Sequence, residues 1–95
     1  MYPNPWSFSQ ERGKNTTYWT FTLRGNEPAH EVKWDAEPYD PKFTTVEELP
    51  TEMLPGDAVR FRWFKVGPSP SSIRLTVSWR RPGETERRES RATLM

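Results

Sequence analysis

The segment Val59–Phe64 reads VRFRWF, and after a loop rich in Gly, Pro and Ser the segment Ile73–Arg80 reads IRLTVSWR. Both segments alternate apolar with polar residues, which is the pattern of a β-strand that buries one face and leaves the other in water. Most of the outward positions are arginine. The two segments therefore predict a pair of central strands with a basic outer face.

The rest of the chain repeats this alternation in short segments that are separated by turns. Trp19, Phe21 and Leu23 alternate with threonine or tyrosine, and Val32 and Trp34 alternate with charged residues. Ten prolines also disfavour helices, because proline lacks the backbone donor that a helix interior needs. We expect an all-β fold, a single small antiparallel β-sandwich of about seven strands.

Length and composition limit the class of protein. Residues 1–95 are long enough for one domain with its own core, and residues 1–16 are predicted to be a loosely attached N-terminal strand. The chain has no cysteine, which fits a reducing compartment. No export signal is visible, and no apolar run approaches the about 20 residues of a membrane-spanning helix. We expect a cytoplasmic protein or a virion component that has no membrane partner.

A series of turn and core motifs resembles bacterial immunoglobulin-like and fibronectin-like modules. The motifs are TFTLR at 20–24, LPGD at 54–57, the alternation Leu75-x-Val77-x-Trp79 and the Pro-Gly pair at 82–83. This resemblance implies an immunoglobulin-like sandwich that acts as a spacer, decoration or interaction module and carries no catalytic residues. Similar free-standing domains occur on phage particles, so a phage virion accessory protein is an alternative.

Arginine is the main chemical feature of the predicted outer surface. If the strands 58–66, 73–80 and 85–94 pair in chain order, Arg62 lies opposite about Thr76 and Ser78 lies opposite about Arg87. One outer face then carries six arginines and the exposed ring of Phe64; the arginines are Arg60, Arg62, Arg74, Arg80, Arg87 and Arg91. Arginine binds carboxylates and phosphates with two parallel hydrogen bonds, so this face predicts an acidic protein surface or a nucleic-acid backbone as its partner.

Two alternatives remain open for this arginine face. Its arginines can instead serve only to solvate the sheet and to pair with the acidic segment 26–57. Nucleic-acid binding to single strands also uses exposed aromatic rings, but four tryptophans fall on inward positions: Trp19, Trp34, Trp63 and Trp79. We therefore predict a non-catalytic protein-interaction or structural module with an acidic protein partner, and a nucleic-acid-binding protein that uses the same face is the alternative.

The sequence contains no pattern that predicts an enzyme. His30 is the only histidine, and with no cysteine the chain has no clustered metal ligands, so no metal, cofactor or catalytic residue is predicted. Neighbouring strand residues point to opposite sides, so His30 and Glu31 are not expected to converge. The polar last strand is expected to be a sheet edge that is open to strand addition, and the sequence does not predict an oligomeric state.

Overall fold

The computed structural model describes residues 4–95, which form seven β-strands in two antiparallel sheets. The strands are β1 (Trp6–Arg12), β2 (Thr16–Leu23), β3 (His30–Glu37), β4 (Phe43–Thr45), β5 (Ala58–Phe64), β6 (Ile73–Arg80) and β7 (Arg87–Leu94). The four-stranded sheet has the order β1-β2-β5-β4, and the three-stranded sheet has the order β3-β6-β7. The predicted all-β antiparallel sandwich is confirmed. No helix in the described range is long and apolar enough to cross a membrane.

The alternation of each strand decides which of its side chains enter the core. In β2 and β5 the apolar positions are buried, among them Trp19, Phe21, Phe61 and Trp63. The side chains between them point away from the core, because successive residues of a strand face opposite sides of the sheet. The same rule holds in β6, where Val77 is buried between half-buried polar neighbours. Each sheet therefore has one apolar inner face and one polar outer face.

Aromatic rings join the inner faces of the two sheets. The ring of Trp6 in β1 lies edge-on to Trp34 of β3 and Trp79 of β6, with centroid distances of 5.5 and 5.7 Å. Phe21 of β2 makes a similar contact with Trp34 at 5.7 Å. Such edge-to-face pairs are favourable because the positive rim of one ring meets the negative face of the other. The predicted inward positions of the four strand tryptophans are confirmed, three of them buried and Trp34 half-buried.

The first strand is longer than the sequence predicts. Apolar alternation covers only Trp6–Phe8, yet β1 pairs with β2 along its whole length, from Trp6 opposite Leu23 to Arg12 opposite Thr17. The second half of β1 is polar and exposed, so it carries no hydrophobic pattern. Its backbone ladder with β2 holds it in the sheet.

A short segment covers part of the free edge of β3. Met53 is only 1 % exposed and forms an isolated antiparallel bridge with Ala29. The backbone N–H of Val32 also donates to the carbonyl of Thr51 at 2.8 Å. This pairing places Glu52 beside the first residues of β3.

Candidate functional site

The seven residues of the predicted arginine face are divided between the two sheets. Three of them lie on β5, in the four-stranded sheet, and four lie on β6 and β7, in the three-stranded sheet. The first group is Arg60, Arg62 and Phe64; the second is Arg74, Arg80, Arg87 and Arg91. The expectation of one continuous face is therefore wrong, because the two groups lie on opposite outer surfaces of the sandwich.

The error comes from the predicted pairing of β5 with β6. In the structure β5 lies between β2 and β4, and the connection 65–72 crosses to the other sheet. Both strands have strongly apolar inner faces, and placing them in facing sheets buries those faces against each other. Local alternation is identical for two neighbours in one sheet and for two strands in facing sheets, so the sequence pattern does not distinguish the two arrangements.

The predicted pairing of β6 with β7 is confirmed, but its register is shifted by two residues. Ser78 lies opposite Glu89 and Arg80 opposite Arg87, because the strands are joined by the whole segment 81–86. A backbone hydrogen bond of 3.1 Å from Glu84 N–H to the Arg81 carbonyl closes a turn inside this segment. A shift of two residues keeps each side chain on its predicted face.

Side chains with hydroxyl groups occupy most of the outward positions of the four-stranded sheet, beside a few charged side chains and the ring of Phe64. The Arg60 guanidinium lies 4.3 Å from the centroid of the Tyr18 ring, and it also approaches the exposed Glu11 carboxylate at 3.8 Å. Arg62 donates to Thr44 Oγ1 at 3.4 Å and forms no ion pair with any residue between 4 and 95. Phe64, two residues further along β5, is 40 % exposed. Serine and threonine occupy most of the remaining outward positions: Ser7, Ser9, Thr16, Thr20, Thr22 and Thr44.

The outer face of the three-stranded sheet is instead balanced by carboxylates. Glu31 Oε2 lies 3.6 Å from Arg80 Nε and 3.5 Å from Arg87 Nη1. Arg91 Nη2 lies 3.8 Å from Glu89 Oε2, and Arg87 donates to Ser78 Oγ at 3.0 Å. Three of its four arginines therefore have an acidic partner on the same molecule.

His30, Glu31 and Glu52 form a polar cluster that the sequence did not predict. The register of β3 shifts between His30 and Lys33, and Glu31 has a positive φ of 52°. This bulge directs the His30 ring and the Glu31 backbone N–H toward Glu52: His30 Nδ1 lies 2.6 Å from Glu52 Oε2, and the Glu31 backbone N–H donates to Glu52 Oε1 at 3.2 Å. Both hydrogen bonds lower the pKa of the Glu52 carboxyl, and the bond with His30 has the larger effect.

The cluster does not have the geometry of a metal centre. Within residues 4–95 no three side chains of His, Cys, Asp or Glu are placed to share a metal ion. His30 and Glu52 are part of the edge that holds the segment 51–53 against β3. Their geometry accounts for a local structural role.

Asp40 is the one buried charged residue of the described chain, and its burial was not predicted from the sequence. Its Oδ1 accepts the Lys42 backbone N–H at 2.9 Å, and its Oδ2 accepts the Trp63 indole N–H at 2.8 Å. Both hydrogen bonds lower the pKa of the Asp40 carboxyl, and the bond from the Lys42 backbone has the larger effect. An aspartate that bonds the backbone two residues onward is common in turns, so its position between two prolines was the available signal.

The comparisons with known proteins add no family to this description. No protein-family model matches the chain, and no curated protein matches it.

Proposed function

We propose that this chain is an immunoglobulin-like module without catalytic function that binds another protein. Its strand order supports the immunoglobulin-like part, because constant-type immunoglobulin domains also place strands one, two, five and four in one sheet and three, six and seven in the other. The third strand carries the core tryptophan Trp34, as it does in those domains. Trp34 packs on the Phe21 ring of the second strand, where those domains have a disulfide.

The binding surface that we assign is the outer face of β5 and its neighbours. The observation that carries the proposal is a combination: Arg62 has no carboxylate partner among residues 4–95, and it lies beside the exposed ring of Phe64. Arg74 on the opposite sheet also forms no ion pair with a described residue, but the only aromatic ring of its strand, Trp79, is buried. Arginine and aromatic side chains are enriched at the centres of protein interfaces. Most of the surrounding outward residues are serine or threonine, whose short side chains leave the exposed Arg62 and Phe64 accessible to a second protein.

The partner is expected to present carboxylates around a small apolar area. Arg60 and Arg62 supply two cations on neighbouring outward positions, and within residues 4–95 the only carboxylate that forms an ion pair with either of them is Glu11, which is highly exposed and weakly held. Phe64 requires an apolar contact in the same interface. An acidic protein surface satisfies both requirements.

The division of the arginines weakens the nucleic-acid alternative. Affinity for a phosphate backbone rises with the number of phosphates that are neutralised at once. Arg60, Arg62 and Arg24, which donates to Ser7 Oγ at 3.0 Å, contribute three cations to one face, and the opposite face holds most of its arginines in ion pairs. A protein partner needs only a few such contacts, because one well-packed arginine can dominate an interface.

A capture experiment with matched variants tests the proposal. The protein, Arg62→Glu and Arg74→Glu are immobilised, and nuclease-treated lysate of the native host is passed over each at low and high salt. Arg74→Glu is the control, because it makes the same charge change on the opposite sheet. We expect a protein that is retained by the parent and by Arg74→Glu and lost with Arg62→Glu.

Two results would contradict the proposal. One is that no retained protein depends on Arg62. The other is that the parent retains a protein in an Arg62-dependent way only from lysate that was not treated with nuclease, or only after DNA or RNA is added back, which would favour the nucleic-acid alternative.

A further inference from the structure

The last strand, β7, is one edge of the three-stranded sheet. It pairs only with β6 on one side. On its other side no backbone group of the segment 89–93 bonds to another described residue. Such an edge presents a row of backbone donors and acceptors to which a further strand can be added. The sheet is therefore open at β7.

The sequence of β7 is complementary to itself when a second copy approaches antiparallel. If the two sheets continue into one another, the outward residues of one copy lie opposite outward residues of the other. In a symmetric antiparallel pair this is possible only when one residue lies directly opposite the same residue of the second copy. With Ser90 at that centre, Glu89 lies opposite Arg91 of the second copy and Arg91 lies opposite Glu89 of the second copy. Moving the centre by one residue places either two copies of Glu89 or two copies of Arg91 opposite each other. Like charges in directly opposed positions are unfavourable, so charge selects the arrangement centred on Ser90.

A second observation points to the same place in β7. Phe8 of β1 is 55 % exposed, although it stacks on the buried Phe21 ring at 5.6 Å. It lines a slot of about 60 Å³ between the sheets, and the other side of this slot is formed by Ser90, Arg91 and Ala92. The exposed ring therefore lies next to the centre that the charges select. A second copy joined at β7 brings its own Phe8 to the same junction, where both rings can lose contact with water.

We propose that two copies of this chain associate through β7, antiparallel and centred on Ser90. The three-stranded sheets of the two copies then continue into one another. The interaction leaves the outer face of β5 free, because that face belongs to the other sheet. It is therefore independent of the partner binding proposed above. Glu89 and Arg91 pair weakly within one copy at 3.8 Å, and their exposed side chains can each turn to the opposite residue of the second copy.

Sedimentation equilibrium over a range of protein concentrations tests this inference with variants that exchange the charges. Glu89→Arg opposes two pairs of arginines at the junction, and Arg91→Glu opposes two pairs of glutamates. Each is expected to weaken self-association by about tenfold or more. An equimolar mixture of the two variants again opposes arginine to glutamate at both positions, so it is expected to form a mixed dimer. The double variant Glu89→Arg/Arg91→Glu is expected to associate like the parent.

The control is Lys33→Glu, which makes the same charge change as Arg91→Glu on the far strand β3 of the same face and is expected to associate like the parent. Thermal melting by circular dichroism verifies the fold of every variant, and both altered side chains are more than half exposed. The inference is overturned if the parent is monomeric throughout the concentration range. It is also overturned if the single variants associate like the parent, or if their mixture associates no better than each alone.

Discussion

The two outer faces of this sandwich use arginine in different ways. On the three-stranded sheet, Glu31 lies within 3.6 Å of both Arg80 and Arg87, and the three side chains form a network on one molecule. On the four-stranded sheet, Arg62 has only a threonine hydroxyl as a partner among the described side chains, and Phe64 beside it is exposed. Both sets of arginines occupy the same kind of position, the outward side of an alternating strand.

The difference shows that an arginine pattern in a strand does not by itself define a binding surface. An arginine whose neighbours across the sheet are carboxylates is already satisfied, and a partner must displace that carboxylate to bind it. An arginine surrounded by hydroxyl groups keeps its hydrogen-bonding capacity for another molecule. The neighbours across the sheet, which the topology determines, therefore distinguish the two cases.

The largest expected effect tests the alternation on which both faces depend. Phe61→Asp in the four-stranded sheet and Val77→Asp in the three-stranded sheet each bury an unpaired charge, because the parent residues are 3 % and 4 % exposed. We expect a loss of more than about 4 kcal/mol, which is enough to unfold a domain of this size. Thermal melting followed by circular dichroism measures the effect.

The control for these two variants is Arg62→Asp, which introduces the same side chain one position along β5 and on the outer face. It is expected to melt close to the parent. If Phe61→Asp and Arg62→Asp melt alike, the inner and outer sides of β5 have been assigned wrongly.

A smaller effect is expected at Asp40, which supports the edge of the four-stranded sheet. Its carbonyl accepts the Phe43 N–H at 3.0 Å at the start of β4, and its side chain holds the Trp63 indole. Asp40→Ala removes the side-chain acceptor and leaves a buried indole N–H without a partner, which is costly. We expect the melting temperature to fall by several degrees at neutral pH, with the fold retained.

The pH dependence of this effect follows from the direction of the pKa shift. The pKa of Asp40 is lowered in the folded chain, so its contribution to stability is present above the unfolded value of about 4 and is lost as the pH falls through the folded-state pKa. The difference in melting temperature between the parent and Asp40→Asn should therefore narrow on acidification below about pH 4. A difference that stays constant or widens at low pH would contradict this assignment.

The smallest expected effect is a difference in heparin binding between two variants, one on each outer face. Glu31→Gln removes the carboxylate that pairs with both Arg80 and Arg87. Glu11→Gln removes the carboxylate that lies 3.8 Å from Arg60. Both variants raise the net charge by the same amount. We expect Glu31→Gln to elute from a heparin column at higher salt than Glu11→Gln, because two arginines become available instead of one. Equal elution would mean that the ion pairs of Glu31 do not restrain the arginines.

Much of the fold was predictable because strand alternation is a local property. The inner positions of β2, β5 and β6 follow from the period-two pattern of residues such as Phe21, Phe61 and Val77. The outward placement of Phe64 on β5 follows in the same way. The second half of β1 was not predictable from this pattern, because its residues are exposed and only the backbone ladder with β2 holds them in the sheet.

The candidate site was predictable only in part, because a site depends on which strands are neighbours. The β-bulge at Glu31 is an example: the side chains of His30 and Glu31 diverge as expected, but the bulge brings the His30 ring and the Glu31 backbone N–H to the same carboxylate of Glu52. Asp40 is another, since its partner Trp63 is distant in the sequence and comes close only when β4 lies beside β5.

The sequence by itself determined the class of fold, the inner and outer side of each main strand and the arginines that reach the surface. These features follow from interactions between near neighbours in the chain. The tertiary structure decided that β5 and β6 belong to different sheets, and therefore that Arg62 has Thr44 beside it and Arg80 has Glu31 beside it. The local alternation of each strand is consistent with several strand orders, because each of them buries two apolar faces against each other. Only the packing of the whole chain selects one of these orders.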